Sequence, residues 1–98
     1  MSPGDDPETE LRRVVDRLRT MPLTRLDEHA GDARALAQDL ADRGALVAGL
    51  ERHVVPDVGD AAVGDQVAVT GRDLLDLDSS DADIAWMVQR LRDFRLSL

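Results

Sequence analysis

The amino-acid sequence predicts an all-α fold, a small antiparallel bundle of about four helices. Apolar residues recur every three or four positions along most of the chain, the spacing that gathers them on one face of a helix. The chain has only 98 residues, which is enough for one modest core. Amphipathic helices that share one small core form a bundle. We therefore expect a single helical domain over residues 7–98.

The first helix is predicted over residues 7–21, after a polar stretch at residues 1–6 that we expect to be disordered. Asp6 is a typical N-cap, and Pro7 suits the first helical position. Pro22 ends or kinks the helix. The apolar residues between them fall on one face and consist of Leu11, Val14, Val15, Leu18 and Met21.

A second, longer helix is predicted over residues 24–52. Its leucines and alanines step mainly by three and four. Gly44 suits a C-terminal cap, but apolar residues at helical spacing resume beyond it, at Leu46 and Leu50. We therefore predict that the helix continues past this glycine until the approach to Pro56 ends it.

The next segment, VGDQVAVTG at residues 63–71, fits two structures. Alternation of Val67 and Val69 between turn residues is typical of a short strand. The same apolar residues also fit one face of a helix, and no proline interrupts them. Because an isolated two-stranded ribbon is marginal in water and no third strand is available, we predict a helix over residues 65–77.

The last helix is predicted over residues 81–96. Ser80 and Asp83 have the spacing of a capping box, in which each residue satisfies a backbone amide of the other. Trp86 lies beside the apolar face, and Phe94 is expected in the core. The apolar face itself consists of Ile84, Met87, Val88, Leu91 and Phe94.

Composition argues against several classes of function. The formal net charge is −8, and residues 56–80 hold six acidic residues against one arginine. Such a chain repels phosphate backbones, so we expect no nucleic-acid partner. No apolar run approaches the ~20 residues of a membrane-spanning helix, and the N-terminus lacks the pattern of a signal peptide. We therefore expect no membrane association and a cytoplasmic location.

No catalytic, metal or cofactor motif is recognisable. The acidic run DLDSSDAD, counted from Asp76, places Asp81 and Met87 where a calcium-binding EF-hand loop needs Gly and Glu. His29 and His53 are the only imidazoles, and neither has a second histidine at helical spacing. With no cysteine in the chain, there is also no thiol nucleophile. We expect no enzymatic activity, no bound metal and no cofactor.

Two groups of residues are candidates for binding. Aromatic anchors are enriched at protein interfaces, so Trp86, with Met87 and Arg90, is the first group. This group favours a function as a non-catalytic helical module that forms a homodimer and binds a protein partner of unknown identity. The alternative is a small-ligand or metal-binding protein, or a small enzyme, that uses residues 56–72. Asp65, Gln66 and Thr70 would then supply the polar contacts.

One segment, PDVGDAAVGDQVAVTGRDLL at residues 56–75, carries a resemblance to other proteins. Together with LRTMPLTRL and ALAQDLADRGA, it resembles small uncharacterised actinobacterial proteins that share a "PDxG…VGDQxAVxGxDL"-like segment. The resemblance covers about residues 11–77. It implies an actinobacterial, cytoplasmic helical protein in which this segment is a loop leading into a helix, and it implies no catalytic residues.

Overall fold

Four α-helices and one short 3-10 turn make up the regular structure of residues 6–98, the part of the chain that the computed structural model describes. They are α1 (Pro7–Thr20), α2 (Leu23–Ala48), α3 (Val63–Asp76) and α4 (Asp81–Ser97), with the 3-10 turn at Asp60–Ala62. The all-α bundle is therefore confirmed. The disorder predicted for residues 1–6 concerns residues that, except for Asp6, lie outside the described part.

The predicted starts of α1 and α4 agree with the caps that the structure contains, whereas α2 begins one residue and α3 two residues before the predicted start. The Asp6 carboxylate accepts a hydrogen bond from the Glu8 amide at 3.0 Å, and Pro7 follows it at the first helical position. Ser80 and Asp83 form a reciprocal capping box, with the Asp83 amide donating to the Ser80 hydroxyl at 3.1 Å. Local side chains thus determine where α1 and α4 begin.

The end of α2 differs from the prediction. The helix stops at Ala48, not at Arg52, because Gly49 adopts the left-handed conformation with φ of 70°. Glycine enters this conformation without steric cost and commonly ends helices. The Leu50 amide then donates to the Ala45 carbonyl at 2.9 Å, which satisfies one of the last carbonyls of the helix. The cap is therefore neither at Gly44, the glycine that the sequence analysis considered, nor near Arg52, where the helix was predicted to end.

The segment that fitted both a strand and a helix is helical. Val63, Val67 and Leu74 recur at helical spacing on α3 and are buried in the core. Gly71 lies on the same face, where α1 comes very close. A methyl group added at Gly71 would lie 2.5 Å from Leu11 Cδ1, so only glycine fits there without a shift of the leucine.

Ion pairs reveal the directions of the helices. Glu8 contacts Arg72 at 3.2 Å and Arg19 contacts Asp65 at 2.8 Å, so α1 and α3 are antiparallel. By the same reasoning α2 and α4 are antiparallel, since Arg43 pairs with Asp83 and Asp39 pairs with Arg90, each at 2.8 Å.

The connection between α2 and α3 reverses the chain. Residues 49–59 return along α2, so that Asp60 meets Arg34, and α3 then runs in the same direction as α2 until Leu77 approaches Gly44. As a result, the C-terminal ends of α2 and α3 lie at the same end of the molecule.

A buried carboxylate joins α1 to α4. Glu10 is only 1% exposed, although it is charged, and it pairs with Arg95 at 3.2 Å, Arg92 at 3.7 Å and Arg13 at 3.5 Å. A buried charge persists only where partners compensate its desolvation. A sequence signal existed, because Glu10 precedes Val14 by four residues and so extends the apolar face of α1.

Candidate interaction surface

Met87 is a core residue, and its prediction as an interface residue is wrong. Its side chain is 1% exposed and lies in the central apolar cluster with Leu91 and Phe94. The cause is its position on the helix, since Met87 belongs to the series that faces the core of the bundle. The expected burial of Phe94 is confirmed.

Trp86, one residue earlier, is half-buried at the edge of the same cluster. The guanidinium of Arg43 stacks over its ring, with 4.9 Å between Cζ and the ring centroid. Arg43 Nε also donates to the Asp83 carboxylate at 2.8 Å, so the cation is held from both sides. One face of the indole is therefore covered by this chain.

Arg90 connects two helices of the same chain. Its Nε donates to Asp39 Oδ2 at 2.8 Å, and its side chain is 26% exposed. A partly buried pair of this kind supports the packing of α4 on α2. Of the three predicted interface residues, Trp86 alone remains available as an anchor.

The C-terminal end of α2 extends beyond the core. Leu40 is the last fully buried residue of this helix, and the next ten residues include GALVAGL, an uncharged run over residues 44–50. Leu46 is 69% exposed and Leu50 is 68% exposed. Apolar residues exposed together mark binding surfaces more often than single exposed ones do.

Leu46 and Trp86 line the same shallow depression on the α2–α4 side of the molecule. We call this region the α2-end surface, defined by Leu46, Trp86, Arg43, Arg52 and Asp42. Arg52 is 76% exposed and lies 3.9 Å from Asp42, a loose ion pair. The arrangement offers an apolar centre with charges of both signs around it, which is the anatomy of a protein interface.

The residues predicted for the alternative ligand site do not converge. Asp65 pairs with Arg19 on α1, at 2.8 Å. Gln66 Nε2 donates to the Pro56 carbonyl, and Thr70 Oγ1 donates to the Gln66 carbonyl at 2.8 Å. Asp65 thus faces α1 while the other two face the connection and their own helix.

Side chains of α2 hold the connection of residues 49–59, and sequence reasoning missed these contacts. Gln38 donates to the His53 carbonyl at 2.7 Å and accepts from the Val55 amide at 2.8 Å. Arg34 contacts Asp57 at 3.3 Å and also pairs with Asp60. The only signal was the placement of Arg34 and Gln38 four residues apart, which puts both on one face of α2.

A pair of carboxylates adjoins Arg34. The hydrogen bond between the Asp27 and Asp60 side chains raises the pKa of Asp27, and some loss of hydration and the negative charge of Asp60 act in the same direction. Within residues 6–98, no three acidic or imidazole side chains are arranged to bind one metal ion.

Two grooves flank α3. One, of about 450 Å³, lies between α1 and α3. The other, of about 370 Å³, lies between the C-terminal ends of α2 and α3, and Thr70 and His53 line it. Both are open to solvent, so these sites suit binding by shape and charge rather than chemistry that requires exclusion of water.

Comparisons with known proteins add no relative. No protein-family model, no curated protein and no solved structure matches this chain. The resemblance of residues 56–75 to actinobacterial proteins therefore stays a prediction. Among the helices of residues 6–98, none combines the length and the apolar character that crossing a bilayer requires.

Proposed function

We propose that this protein is a non-catalytic helical interaction module that self-associates through the α2-end surface. The observation that carries the proposal is the exposure of Leu46, 69%, directly beside the half-buried Trp86. A domain of this size buries a smaller share of its surface than larger ones do and gains stability from association. Covering the end of α2 would supply that gain.

A second copy of the chain suits this surface because its charges complement themselves. Arg43 and Arg52 lie next to Asp39 and Asp42. In a two-fold symmetric dimer the same patch meets itself, so Arg52 of one copy can face Asp42 of the other. Arg52, whose own pair with Asp42 is loose at 3.9 Å, is free to make that exchange at little cost.

Net charge opposes association at long range. Two copies each carry −8, and their repulsion is screened as ionic strength rises, whereas the apolar contact is not weakened. A standard interface of about 800 Å² per partner would cover roughly a seventh of the 5722 Å² surface of the chain. We therefore expect a weak dimer whose dissociation constant falls on addition of salt.

Sedimentation velocity over a range of concentrations tests the proposal. Leu46→Glu places a charge at the centre of the surface and should keep the protein monomeric. Leu96→Glu is the matched control, because Leu96 is 70% exposed on α4 and lies outside the surface. It should leave association unchanged. A wild-type protein that stays monomeric at every concentration, or two variants that weaken association equally, would refute the proposal.

Fluorescence gives an independent readout, because Trp86 is the only tryptophan in the chain. Burial of its exposed edge in a dimer should shift its emission to shorter wavelength as concentration rises. In Leu46→Glu the emission should not depend on concentration. We further propose that the protein binds an unidentified protein partner and is cytoplasmic and actinobacterial. The resemblance of residues 56–75 supports the cytoplasmic and actinobacterial part of this proposal. Fractionation of host cells tests the location.

A further inference from the structure

The groove between the ends of α2 and α3 has an apolar floor made by small residues. Ala41, Gly44 and Ala45 line it from α2, and Leu77 lines it from the end of α3. A methyl group at Gly44 would meet only Leu77 Cδ1, at 3.8 Å, so the floor is open directly above this glycine. Small residues leave room for the side chains of a helix that packs against them.

The rim of this groove is acidic. Glu51, Asp73 and Asp76 line it, and no arginine does. Among the ion pairs within residues 6–98, none involves Asp73 or Asp76, although the same chain pairs most of its arginines with acids. The negative charge at this rim is therefore not neutralised by the described part of the chain.

Helix ends add to the negative potential. Because α2 and α3 run in the same direction, their C-terminal ends both lie at this groove, and neither has a basic residue in its last turn. The C-terminal end of a helix carries partial negative charge, so carboxylates there are unfavourable and cations are stabilising. The negative charges of Asp73 and Asp76 are thus electrostatically unfavourable beside these helix ends. A cation from another molecule would offset this unfavourable interaction.

We propose that this groove docks a basic amphipathic helix of a different protein. The apolar face of that helix would cover Ala41, Gly44 and Ala45, and its Lys or Arg side chains would reach Glu51, Asp73 and Asp76. With Leu40 and Ala48 included, the groove runs along about two turns of α2, which matches two to three turns of a docked helix. Charge complementarity and the small-residue floor together define this occupant.

A second copy of this chain fits the groove less well. The arginines of α1 and α4 belong to helices whose apolar residues lie largely in the core of their own bundle. The α2 end exposes Leu46 beside two arginines, but Arg43 is already held by Asp83 and the Trp86 ring. A second copy would therefore bring Arg52 as the one loosely held cation beside its exposed leucine, whereas the rim carries three carboxylates. The groove is also separate from the α2-end surface, so this proposal does not depend on self-association.

Nuclear magnetic resonance titration of the full chain tests the proposal. The probe is a synthetic amphipathic helix with leucines on one face and lysines beside them, and its control has glutamates in place of the lysines. We expect the lysine peptide to shift the amide signals of Gly44, Ala45 and Thr70, and the glutamate peptide to shift none. Shifts centred elsewhere, for example on α1, would overturn the assignment.

Charge-matched variants distinguish binding of the peptide in the groove from its general electrostatic attraction to an acidic protein. The double variant Asp73→Asn/Asp76→Asn should weaken peptide binding about tenfold or more, because two of the three rim charges are lost. The double variant Asp16→Asn/Asp32→Asn changes the net charge equally on other faces and should keep affinity within about twofold. Equal weakening by both pairs would refute the groove as the site.

Three further measurements define what binds in the groove and where. Ala45→Arg inserts a cation into the groove and should abolish peptide binding while the helical circular dichroism spectrum is retained. Butylamine alone should bind far more weakly than the peptide, and equal affinity would identify a small cation, not a helix, as the occupant. Leu46→Glu should bind the peptide normally, so failure of the dimer and failure of the groove are distinguishable.

Discussion

The two parts of α2 have similar apolar composition and very different surroundings. From Leu26 to Leu40 every residue on the inner face is buried, with at most 6% exposure. Beyond Leu40 the helix continues with alanine, leucine and valine, yet Leu46 is 69% exposed. Apolar character alone therefore does not decide which residues enter the core.

Helix length explains the difference. At about 1.5 Å per residue, the 26 residues of α2 extend well beyond the 14 residues of α3 and the 17 of α4. α3 ends beside Gly44, so no helix of residues 6–98 covers the last turn of α2 completely. The uncovered end is where both proposed binding surfaces are found.

The largest expected effect separates a buried leucine from an exposed one on the same helix. Leu36→Ala should lower the free energy of unfolding by about 2–5 kcal/mol, because it leaves a cavity at a fully buried position. Leu46→Ala should change the unfolding of the monomer by less than about 0.5 kcal/mol. Urea denaturation at low protein concentration measures both, and similar losses would contradict the comparison.

The next effect concerns Gln38, which lies near Leu40, where the buried part of α2 meets its exposed part. Gln38→Ala removes the bonds to His53 and Val55 that hold the connection against α2, and we expect a loss of about 1–2 kcal/mol. Gln89→Ala is the control, since its side chain donates only to exposed Asp93. Hydrogen exchange should show faster exchange at the Val55 amide in the first variant alone.

Substitution of three glycines by alanine tests where α2 ends, because two of them lie inside the helix and the third caps it. Gly44→Ala and Gly31→Ala lie inside the helix with no close atom in the way, so each should raise the stability by up to about 1 kcal/mol. Gly49→Ala should lower it, because φ of 70° is strained for alanine. Thermal melting of the three variants checks the order, and a stabilising Gly49→Ala would restore the predicted end at Arg52.

The smallest effect lies in the first turns of α2 and depends on pH. The hydrogen bond to Asp60 raises the pKa of Asp27, so the protonated form stabilises the fold at low pH and this contribution is lost as pH rises through the raised pKa. Asp27→Asn keeps a donor at every pH. The variant should therefore melt higher than the wild type at neutral pH and match it in acid, and a constant difference would contradict this.

Much of the fold was predictable because the signals are local. Asp6 with Pro7 and Ser80 with Asp83 mark helix starts within a few residues of sequence. The burial of Met87 was predictable too, since it belongs to the apolar series of α4, and only its proximity to Trp86 suggested an interface.

The two proposed binding surfaces were harder to predict from the sequence, because they depend on contacts between residues that are far apart in the chain. The return of residues 49–59 along α2 requires Gln38 to meet residues fifteen and more positions away. That return makes α2 and α3 run in the same direction and brings Asp73 and Asp76 beside the end of α2. No local pattern near Asp73 indicates this neighbour.

The most direct test of the central claim is the concentration dependence of the amide spectrum of the full chain. Between about 10 µM and about 1 mM, a range that detects even weak contacts, signals of residues 43–50 and the Trp86 indole should move, while signals of the buried residues 26–40 stay in place. A spectrum that does not change with concentration, or changes confined to α1, would contradict the account.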